Sequence, residues 1–444
     1  MVNFFYDKSP IFLQNILISL KGIQIYRQRY NKHYKKELNT LLKSNEYQLQ
    51  EKRLKQFIKF ARKNSRYYSE ALSGYKRNIG LSDMHNLPVL VKDDIRQNIE
   101  DIVTRKKNLI VMETGGSTGK KLKFYTNPYD ISRRIAYLDY FKLKHGVKKG
   151  MRRASIGGRV FIPTNQKSKV FWRHNYMLNQ VLFSIFHAGT ENIKYYVEEL
   201  NRFKPKSIDG ITSVIYRMAQ YINENQIKLT FKPIAIFPTG ETLTDEIRSE
   251  IEKAFGCKVF DQYASSEGAP FITESADGNY EICPATGFYE MEHIEGNIYE
   301  MYVTAFYTTT TPLIRYKIGD AVELFEPLSE NYKQSDIRIK RLIGRNTDYL
   351  MSNEMGKVYN VNLASVARQL GGNIIESQFI QNELDEIIIN LVVEKEEDKK
   401  IIEKNLHKVM NIRFGQSTQY VINYVDRVEK TQGGKTKLTV NNLE

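Results

Sequence analysis

The hydrophobic positions in the first hundred residues recur with the spacing of amphipathic helices. This pattern predicts helices over residues 10–30, 46–72 and 92–103. Pro88 separates the last two, because proline lacks the backbone N–H that an inner helical turn needs. We interpret this part of the chain as scaffold.

A different pattern occurs in the middle of the chain, where an amphipathic stretch lies between two apolar runs. It predicts a buried strand at 234–238, a helix at 245–255 and a second strand at 257–262, which together form a βαβ unit. The loops TGE (239–241) and YASSEG (263–268) follow these strands. Open parallel sheets bind ligands at the carboxyl ends of their strands, so both loops are candidate site segments.

Shorter elements alternate from about residue 349 onward. The predicted elements are a helix near 361–370, strands at 374–381 and 387–394, a helix at 396–411 and a strand at 418–425. This pattern is typical of a small α+β domain.

The change of pattern divides the chain into two predicted domains. The GRNTD segment at 344–348 marks the linker. We predict a large N-terminal α/β domain with parallel-rich sheets over 1–346, a small C-terminal α+β domain over 349–444, and a hinge at 347–348.

Composition agrees with a large intracellular protein. The chain has 444 residues, of which 41% are hydrophobic. A chain of this length normally folds around more than one hydrophobic core. Its two cysteines, Cys257 and Cys283, are too few for a disulfide framework or a cysteine-rich zinc site, so we expect a reducing, cytoplasmic compartment.

The apolar stretch from Ile11 to Leu20 is too short to span a membrane, which takes about 20 residues, and it lacks the features of a secretory signal. We therefore expect no transmembrane segment. Surface packing and peripheral membrane contact both stay open for the helix at 10–30.

The net charge of +15 would suit nucleic acid, an anionic membrane or an anionic small substrate such as ATP. Basic residues are scattered, and no RNA-binding aromatic signature or zinc-finger spacing accompanies them. We expect no nucleic-acid partner.

The segment from Thr114 to Lys121, TGGSTGKK, combines backbone freedom, hydroxyl groups and cations, as a loop that wraps phosphate oxygens requires. It lies between β-prone runs at 108–112 and 122–127. It is not a nucleoside-triphosphatase P-loop, since Thr114 and Lys121 stand where that motif needs glycine and Ser or Thr. Taken alone, the segment is better explained as an ordinary flexible turn.

Eight segments occur in the order of one family: LPVLVKDDIR at 87–96, TGGSTG at 114–119, KPKSIDGITS at 204–213, TGETL at 239–243, YASSEG at 263–268, RYKIGD at 315–320, GR at 344–345 and KTQGGK at 430–435. The chain thereby resembles adenylate-forming ligases, in particular the phenylacetate–CoA ligase branch and its CapK-like relatives of capsular polysaccharide loci. The resemblance implies activation of a carboxylic acid by ATP and Mg²⁺ as acyl-AMP. It also implies transfer to a thiol such as coenzyme A, or to an amine, for example on a sugar-linked precursor.

The resemblance also implies residue roles. The phosphate loop comprises Thr114, Gly115, Gly116, Ser117, Thr118, Gly119 and, among the lysines that follow, Lys121. Gly240 and Glu241 form the turn beside the adenine edge, and Tyr263 stacks on the base. Ser266 belongs to the same loop as Glu267, which holds Mg²⁺. Asp320 accepts from the ribose hydroxyls, Arg345 reaches ribose or phosphate, and Lys435 bridges the substrate carboxylate and the α-phosphate.

Departures from the family pattern affect the phosphate loop and the hinge. Lys120 stands where a proline is common, and Thr347 replaces the first of two acids. These changes motivate a rival hypothesis, a nucleotide-binding scaffold without turnover.

The acid is not specified by any motif. Trp172, His174 and Tyr176 lie where the resemblance places the acyl pocket, as does the segment 209–213. The three aromatic residues could bind an aromatic acid, stack on a sugar or fill core. Arg159 and Arg173 are candidate carboxylate partners.

Overall fold

The computed structural model describes residues 6–104, 107, 109–114, 122–163, 166, 168–345, 349–359, 363, 366–371, 374–393, 395–429 and 437–443. Its helices and strands are those of a mixed α/β fold with a large N-terminal and a smaller C-terminal domain, as predicted.

The N-terminal helices lie where the hydrophobic spacing predicts them, except for the second, at 32–43, which was not predicted. They are α1 (Ile11–Arg29), α2 (Lys32–Lys43), α3 (Glu46–Asn64), α4 (Arg66–Ala71) and α5 (Lys92–Ile102). The predicted helix 46–72 is interrupted at Ser65, whose backbone N–H ends α3 and whose hydroxyl caps α4 by accepting from Tyr68 N.

A six-stranded sheet forms the first half of the large domain. Its strands are β3 (Arg153–Gly157), β4 (Trp172–Asn175), β5 (Gln180–Ser184), β6 (Ser207–Ile211), β7 (Ala235–Thr239) and β8 (Lys258–Val259), in the order β4-β5-β3-β6-β7-β8. All neighbours are parallel except β4 and β5. The helices α7 (Thr190–Phe203), α8 (Thr212–Glu224) and α9 (Asp245–Phe255) pack on it. The predicted βαβ unit is therefore confirmed as β7, α9 and β8.

A seven-stranded sheet, antiparallel throughout, forms the second half. Its strands are β9 (Gln262–Tyr263), β10 (Ile272–Glu274), β11 (Tyr280–Ile282), β12 (Gly287–Glu295), β13 (Ile298–Ala305), β14 (Leu313–Leu324) and β15 (Ile339–Arg345), in the order β12-β13-β14-β15-β11-β10-β9. It shares a core with α3, where Leu54 and Ile58 join Val303 and Tyr316. The prediction of parallel-rich sheets in the large domain thus holds for its six-stranded sheet and not for its seven-stranded one.

The single strand predicted at 257–262 was wrong, because the chain changes sheet inside it. Val259 still pairs with Ile236 of the parallel sheet, whereas Gln262 pairs with Thr273 of the antiparallel one. The buried carboxylate of Asp261 holds the crossing point: it accepts from Gln262 N at 2.8 Å and from Tyr280 Oη at 2.7 Å. Tyr263 therefore belongs to the antiparallel sheet.

The strands on either side of the glycine loop form the hairpin β1 (Ile110–Thr114) and β2 (Leu122–Thr126), with Thr114 opposite Leu122. Helix α6 (Pro128–Lys144) follows directly, capped by Asn127, whose side chain accepts from Asp130 N. The loop itself, residues 115–121, lies outside the described residues.

Four consecutive buried threonines, 308–311, tie this hairpin to α6 and to the chain that leads into β14. Thr309 Oγ1 donates to the fully buried Asp130 at 2.8 Å, and Thr310 N donates to the same carboxylate at 3.1 Å. Thr311 Oγ1 donates to Tyr125 O at 3.0 Å and accepts from Tyr125 N at the same distance, so it fixes β2. We call this group, Asp130 with residues 308–311, the threonine cluster.

The C-terminal domain consists of the hairpin β16 (Tyr349–Ser352) and β17 (Gly356–Tyr359), the helices α10 (Val366–Leu370) and α11 (Glu396–Phe414), and the strands β18 (Ile374–Glu383), β19 (Glu386–Val393), β20 (Gln419–Tyr424) and β21 (Thr439–Asn441). The four strands β18–β21 form one sheet in the order β20-β19-β18-β21, and α10 and α11 cover a separate apolar core. Three strands, β16, β17 and β21, were not predicted. The first two pair as a hairpin, and β21 has only three residues.

Removal of the Asp130 carboxylate should destabilise the large domain. Asp130→Ala leaves the Thr309 hydroxyl and Thr310 N–H without their acceptor in a buried place, so we expect the free energy of unfolding in urea to fall by about 2–4 kcal/mol. The control Asp93→Ala removes an exposed carboxylate and should cost less than about 1 kcal/mol. Equal effects of the two substitutions would contradict a structural role for the threonine cluster.

Candidate active site

Three of the predicted site residues meet where the two large sheets join. Tyr263 lies in β9, and its Oη donates to Asp320 Oδ2 at 2.6 Å. Asp320 lies in β14 directly opposite Arg345 in β15. The three residues come from three separate motifs, and the first and last are 82 positions apart in the sequence. The antiparallel sheet brings them together.

A bulge in β14 places Asp320. The strand runs from Leu313 to Leu324, so Asp320 lies within it and not in a turn at its end. The pairing of β14 with β13 shifts between Lys317 and Ala321, and Gly319 between them has φ of 83°, in the left-handed region that favours glycine. The Gly-Asp pair of RYKIGD therefore reflects a bulge that redirects the strand at the carboxylate.

The Tyr263 hydroxyl remains a donor at all ordinary pH values. Burial, followed by the charge of the nearby Asp320 carboxylate, raises the pKa of Tyr263 well above its usual value. The ring also packs against the core shared by the N-terminal helices and the antiparallel sheet. Tyr263 thus fixes one oxygen of Asp320 while it forms part of the wall beside it.

The loop after β9, residues 264–269, is a tight turn that carries Glu267. Ser265 Oγ accepts from Gly268 N at 3.2 Å and from Ala269 N at 3.0 Å. Gly268 has φ of 105°, and a Cβ there would lie 2.6 Å from Thr308 of the threonine cluster. Glu267 is partly buried and Ser266 is exposed at the tip of this turn.

Arg134 of α6 supports this turn from below and was not predicted from the sequence. Its Nη1 donates to Ala269 O at 3.1 Å and its Nη2 to Ser265 O at 3.2 Å, while its guanidinium lies over the Phe271 ring. Burial lowers the pKa of Arg134 to about 10, and nearby acidic groups, Glu267 among them, oppose this effect. In the sequence, the only sign of a buried role for Arg134 is that it belongs to an arginine pair inside the amphipathic segment ISRRIAYL.

The predicted turn at 239–241 follows β7, with φ of 82° at Gly240. The Glu241 carboxylate accepts from Ser213 N at 2.7 Å and from Ser213 Oγ at 3.2 Å, so it caps the N-terminus of α8. Ile211 and Thr239, the last residues of β6 and β7, pair with one another. The segments 209–213 and 239–241 consequently lie side by side at the edge of the six-stranded sheet where β6 and β7 end.

Several predicted residues cannot be located in this way. Gly115, Gly116, Ser117, Thr118, Gly119, Lys121 and Lys435 lie outside the described residues, as does the hinge at 347–348. For Thr114 and Arg345 only the backbone is described, at the ends of β1 and β15. Their roles stay predictions.

The aromatic segment at 172–176 lies away from this edge. It includes β4, the edge strand of the six-stranded sheet, four positions from β7 in the strand order. Trp172 is buried against Phe183, which favours the core-filling alternative, and His174 contacts Glu199 at 3.1 Å. Tyr176 is exposed.

The burial of the two candidate arginines does not match that of a pair that binds a substrate carboxylate in a pocket. Arg173 is fully buried, and its donors go to Gln14, Gln166 and two backbone carbonyls. Arg159 is exposed. The structure therefore excludes Arg173 as an open pocket residue, because its hydrogen bonds connect β4 to α1.

No group of three or more His, Cys, Asp or Glu side chains able to enclose a metal ion occurs in the part of the chain that the structure describes. Magnesium does not require one, since it is commonly held by one or two carboxylates together with substrate phosphates and water. Glu267, a single carboxylate on a rigid turn, fits that requirement.

Comparison with known proteins gives a consistent result. The CapK C-terminal domain family matches residues 350–442. The chain is 53% identical to Protein CapK of Staphylococcus aureus over the full length of both proteins.

Solved structures show the fold. A 2-hydroxyisobutyryl-CoA ligase in the postadenylation state, in complex with R3-HIB-AMP, is similar with a TM-score of 0.66 and 16% identity over 88% of each chain. An O-succinylbenzoate coenzyme A synthetase from Bacillus subtilis, in complex with AMP, has a TM-score of 0.50 and 15% identity, over 74% of this chain and 67% of that one. The fold is that of adenylate-forming CoA ligases.

Loss of the Tyr263 hydroxyl should weaken nucleotide binding without unfolding the protein. In Tyr263→Phe the Asp320 carboxylate loses its fixed donor, and we expect the Kd for AMP in calorimetric titration to rise about 5–10-fold. Tyr34→Phe is a matched control, because Tyr34 Oη donates to the Asp139 carboxylate in the same way, at 2.8 Å, outside this site, and its Kd should stay within about twofold. An unchanged Kd in Tyr263→Phe would contradict the positioning role.

Proposed function

We propose, on the premise that this chain belongs to the CapK family, that it uses ATP to activate a carboxylic acid as acyl-AMP and then transfers the acyl group to a thiol or an amine. The observation that supports this most strongly is the hydrogen bond of Tyr263 to Asp320, close to Glu267 and directly opposite the backbone of Arg345. This convergence occurs in a fold shared with enzymes solved with AMP or acyl-AMP.

In the first step, a carboxylate oxygen of the acid attacks the α-phosphorus of ATP. A C–O–P anhydride forms and pyrophosphate leaves. In the second step, the acceptor attacks the carbonyl carbon and AMP leaves. Both steps gain from exclusion of water, because the anhydride is prone to hydrolysis.

The nucleotide would lie against the junction of the two sheets. Asp320, held by Tyr263 at 2.6 Å, would accept from the ribose hydroxyls, and the turn at Gly240 would allow the base edge to approach the backbone. The hairpin β1–β2 would present the glycine loop to the phosphates, with its position set by the contact of Thr311 with Tyr125.

Glu267 would hold Mg²⁺ together with phosphate oxygens of ATP. The bound ion would neutralise charge on the departing pyrophosphate. Arg134 would hold Glu267 in place for the ion, since it fixes the backbone on both sides of Glu267 through Ser265 O and Ala269 O.

Lys435 would supply the positive charge at the site of attack. Charge that accumulates between the substrate carboxylate and the α-phosphate is stabilised best by a cation in a closed site. We propose the domain boundaries 1–346 and 349–444 with a hinge at 347–348, so that the C-terminal domain can bring Lys435 in and move it away for transfer.

One contact between the two domains is compatible with this movement. Arg217 of α8 and Glu376 of β18 form an ion pair at 3.3 Å with little exposure. Arg217 also donates to Ala188 O within the large domain, and Glu376 accepts from Val428 N within the small one. Each partner is thus anchored on its own side of the contact.

The biological setting that we propose is synthesis of a capsular or other surface polysaccharide, from the identity with Protein CapK. The acceptor is then a thiol such as coenzyme A, as in the CoA ligases of this fold, or an amine on a sugar-linked precursor. Because ATP is a substrate, we place the reaction in the cytoplasm.

Acid-dependent release of pyrophosphate tests the proposal. With ATP and Mg²⁺, a panel of aromatic acids, fatty acids, amino acids and uronic acids should give release with one class. In Lys435→Ala the rate should fall at least about 100-fold, because a cation at the developing charge is lost.

The matched control is Lys437→Ala, two residues away in the same segment, which should retain the rate to within about twofold. Equal rates in Lys435→Ala and the wild type would contradict the role of Lys435. Nucleotide binding without release for any acid would instead favour the non-catalytic scaffold.

A further inference from the structure

Helix α1 is oriented with its polar side towards the protein. Gln14 is buried, where its Oε1 accepts from Arg173 at 2.6 Å and its Nε2 donates to Ser9 O at 2.9 Å. Asn15 Oδ1 accepts from His174 N at 2.9 Å, and Ser19 Oγ accepts from Tyr176 N at 3.0 Å. The helix is therefore attached to β4 and the turn after it through hydrogen bonds.

The opposite side of α1 is apolar and faces solvent. Phe12, Leu13, Ile16, Leu17 and Leu20 have exposed fractions between 37% and 67%. The spacing 12, 16, 20 and 13, 17 places all five on one helical face. Surface helices of globular proteins normally show the reverse arrangement, with the apolar face inward.

Basic residues accompany this face. Between residues 6 and 36 the chain has seven Lys or Arg residues and one acidic residue, Asp7. Lys21 and Arg27 are exposed on α1, and Lys32, Lys35 and Lys36 are exposed on α2. A shallow groove of about 660 Å³, lined by Leu20, Ile23, Gln24, Arg27, Gln28 and Pro128, continues the apolar face to Arg27.

A bilayer fits this combination better than a second copy of the chain does. The five side chains expose on the order of 400 Å², about half of what each partner of a stable protein interface buries. Two copies would also bring the same cationic segment together. An apolar stripe flanked by Lys and Arg is instead typical of helices that lie in the headgroup region of anionic membranes.

We propose that α1 is a membrane-docking helix that binds the surface of anionic phospholipid bilayers through Phe12, Leu13, Ile16, Leu17 and Leu20, with Lys21 and Arg27 on the headgroups. Docking is peripheral. None of the helices in the described residues is long and apolar enough to cross a bilayer.

Vesicle co-sedimentation of the full chain tests docking directly. The wild type should bind vesicles that contain both phosphatidylglycerol and phosphatidylcholine. Its binding to vesicles of phosphatidylcholine alone should be at least about tenfold weaker. Raising NaCl from about 0.1 M to about 0.5 M should weaken the binding, since exposed charges are screened. Binding requires no ligase turnover, so its outcome is independent of the proposed function.

The variant Phe12→Gln/Ile16→Gln/Leu20→Gln should reduce the partition coefficient at least about tenfold, because it removes most of the apolar surface that inserts. The matched control Phe325→Gln/Leu384→Gln/Ile401→Gln changes three exposed apolar residues on separate elements and should bind like the wild type. Loss of binding in both variants would contradict the assignment to α1.

A fluorescent label checks the same proposal while four of the five apolar side chains stay in place. Burial raises the pKa of Cys257 to about 12 and that of Cys283 well above its ordinary value, so at neutral pH an introduced Leu13→Cys should react first. A polarity-sensitive dye there should shift to the blue on addition of anionic vesicles.

Two results would overturn the proposal: wild-type protein that stays in solution with anionic vesicles, or a dye whose emission does not change. A wild type that is dimeric in light scattering, combined with a monomeric triple variant and no vesicle binding, would identify the face as a self-interface instead.

Discussion

The carboxylate of Asp130 is fully buried, and burial of such a group costs free energy unless donors replace the water that it loses. Thr309 and Thr310 provide these donors, and the next residue, Thr311, fixes strand β2. The hairpin of the glycine loop, helix α6 and the approach to β14 are thereby held together. Since Arg134 projects from the same helix to the Glu267 turn, the threonine cluster positions both the hairpin that flanks the glycine loop and the helix that supports the proposed metal residue.

The second determinant of the site is the change of sheet at Asp261. One half of the edge, the turns after β6 and β7, belongs to a parallel sheet, whose strand ends are common ligand sites. The other half, Tyr263 and Asp320, belongs to the antiparallel sheet. A chain that passes from one sheet to the other within a few residues places both halves at one edge, so motifs far apart in sequence lie close enough to form the proposed nucleotide site.

Much of the fold could be predicted from the sequence, because amphipathic periodicity identifies α1, α3, α5, α9 and α11, and a buried apolar run identifies β7. The residues of the site could be proposed only through motif order. What could not be predicted depends on distant partners. The break of a single apolar run into β8 and β9 requires the buried Asp261, and the support of the Glu267 turn by Arg134 joins residues more than a hundred positions apart. The apolar face of α1 was visible as a pattern, but only the structure shows that it faces solvent.

The most direct test of the central claim follows the oxygen atoms of the acid. If the carboxylate attacks the α-phosphorus of ATP, an acid labelled with oxygen-18 in its carboxylate must leave one labelled oxygen in AMP once the acyl group has been transferred. Mass spectrometry of the nucleotide after turnover should therefore detect AMP that carries one oxygen-18 atom. Unlabelled AMP, or ADP as the nucleotide product, would contradict adenylation.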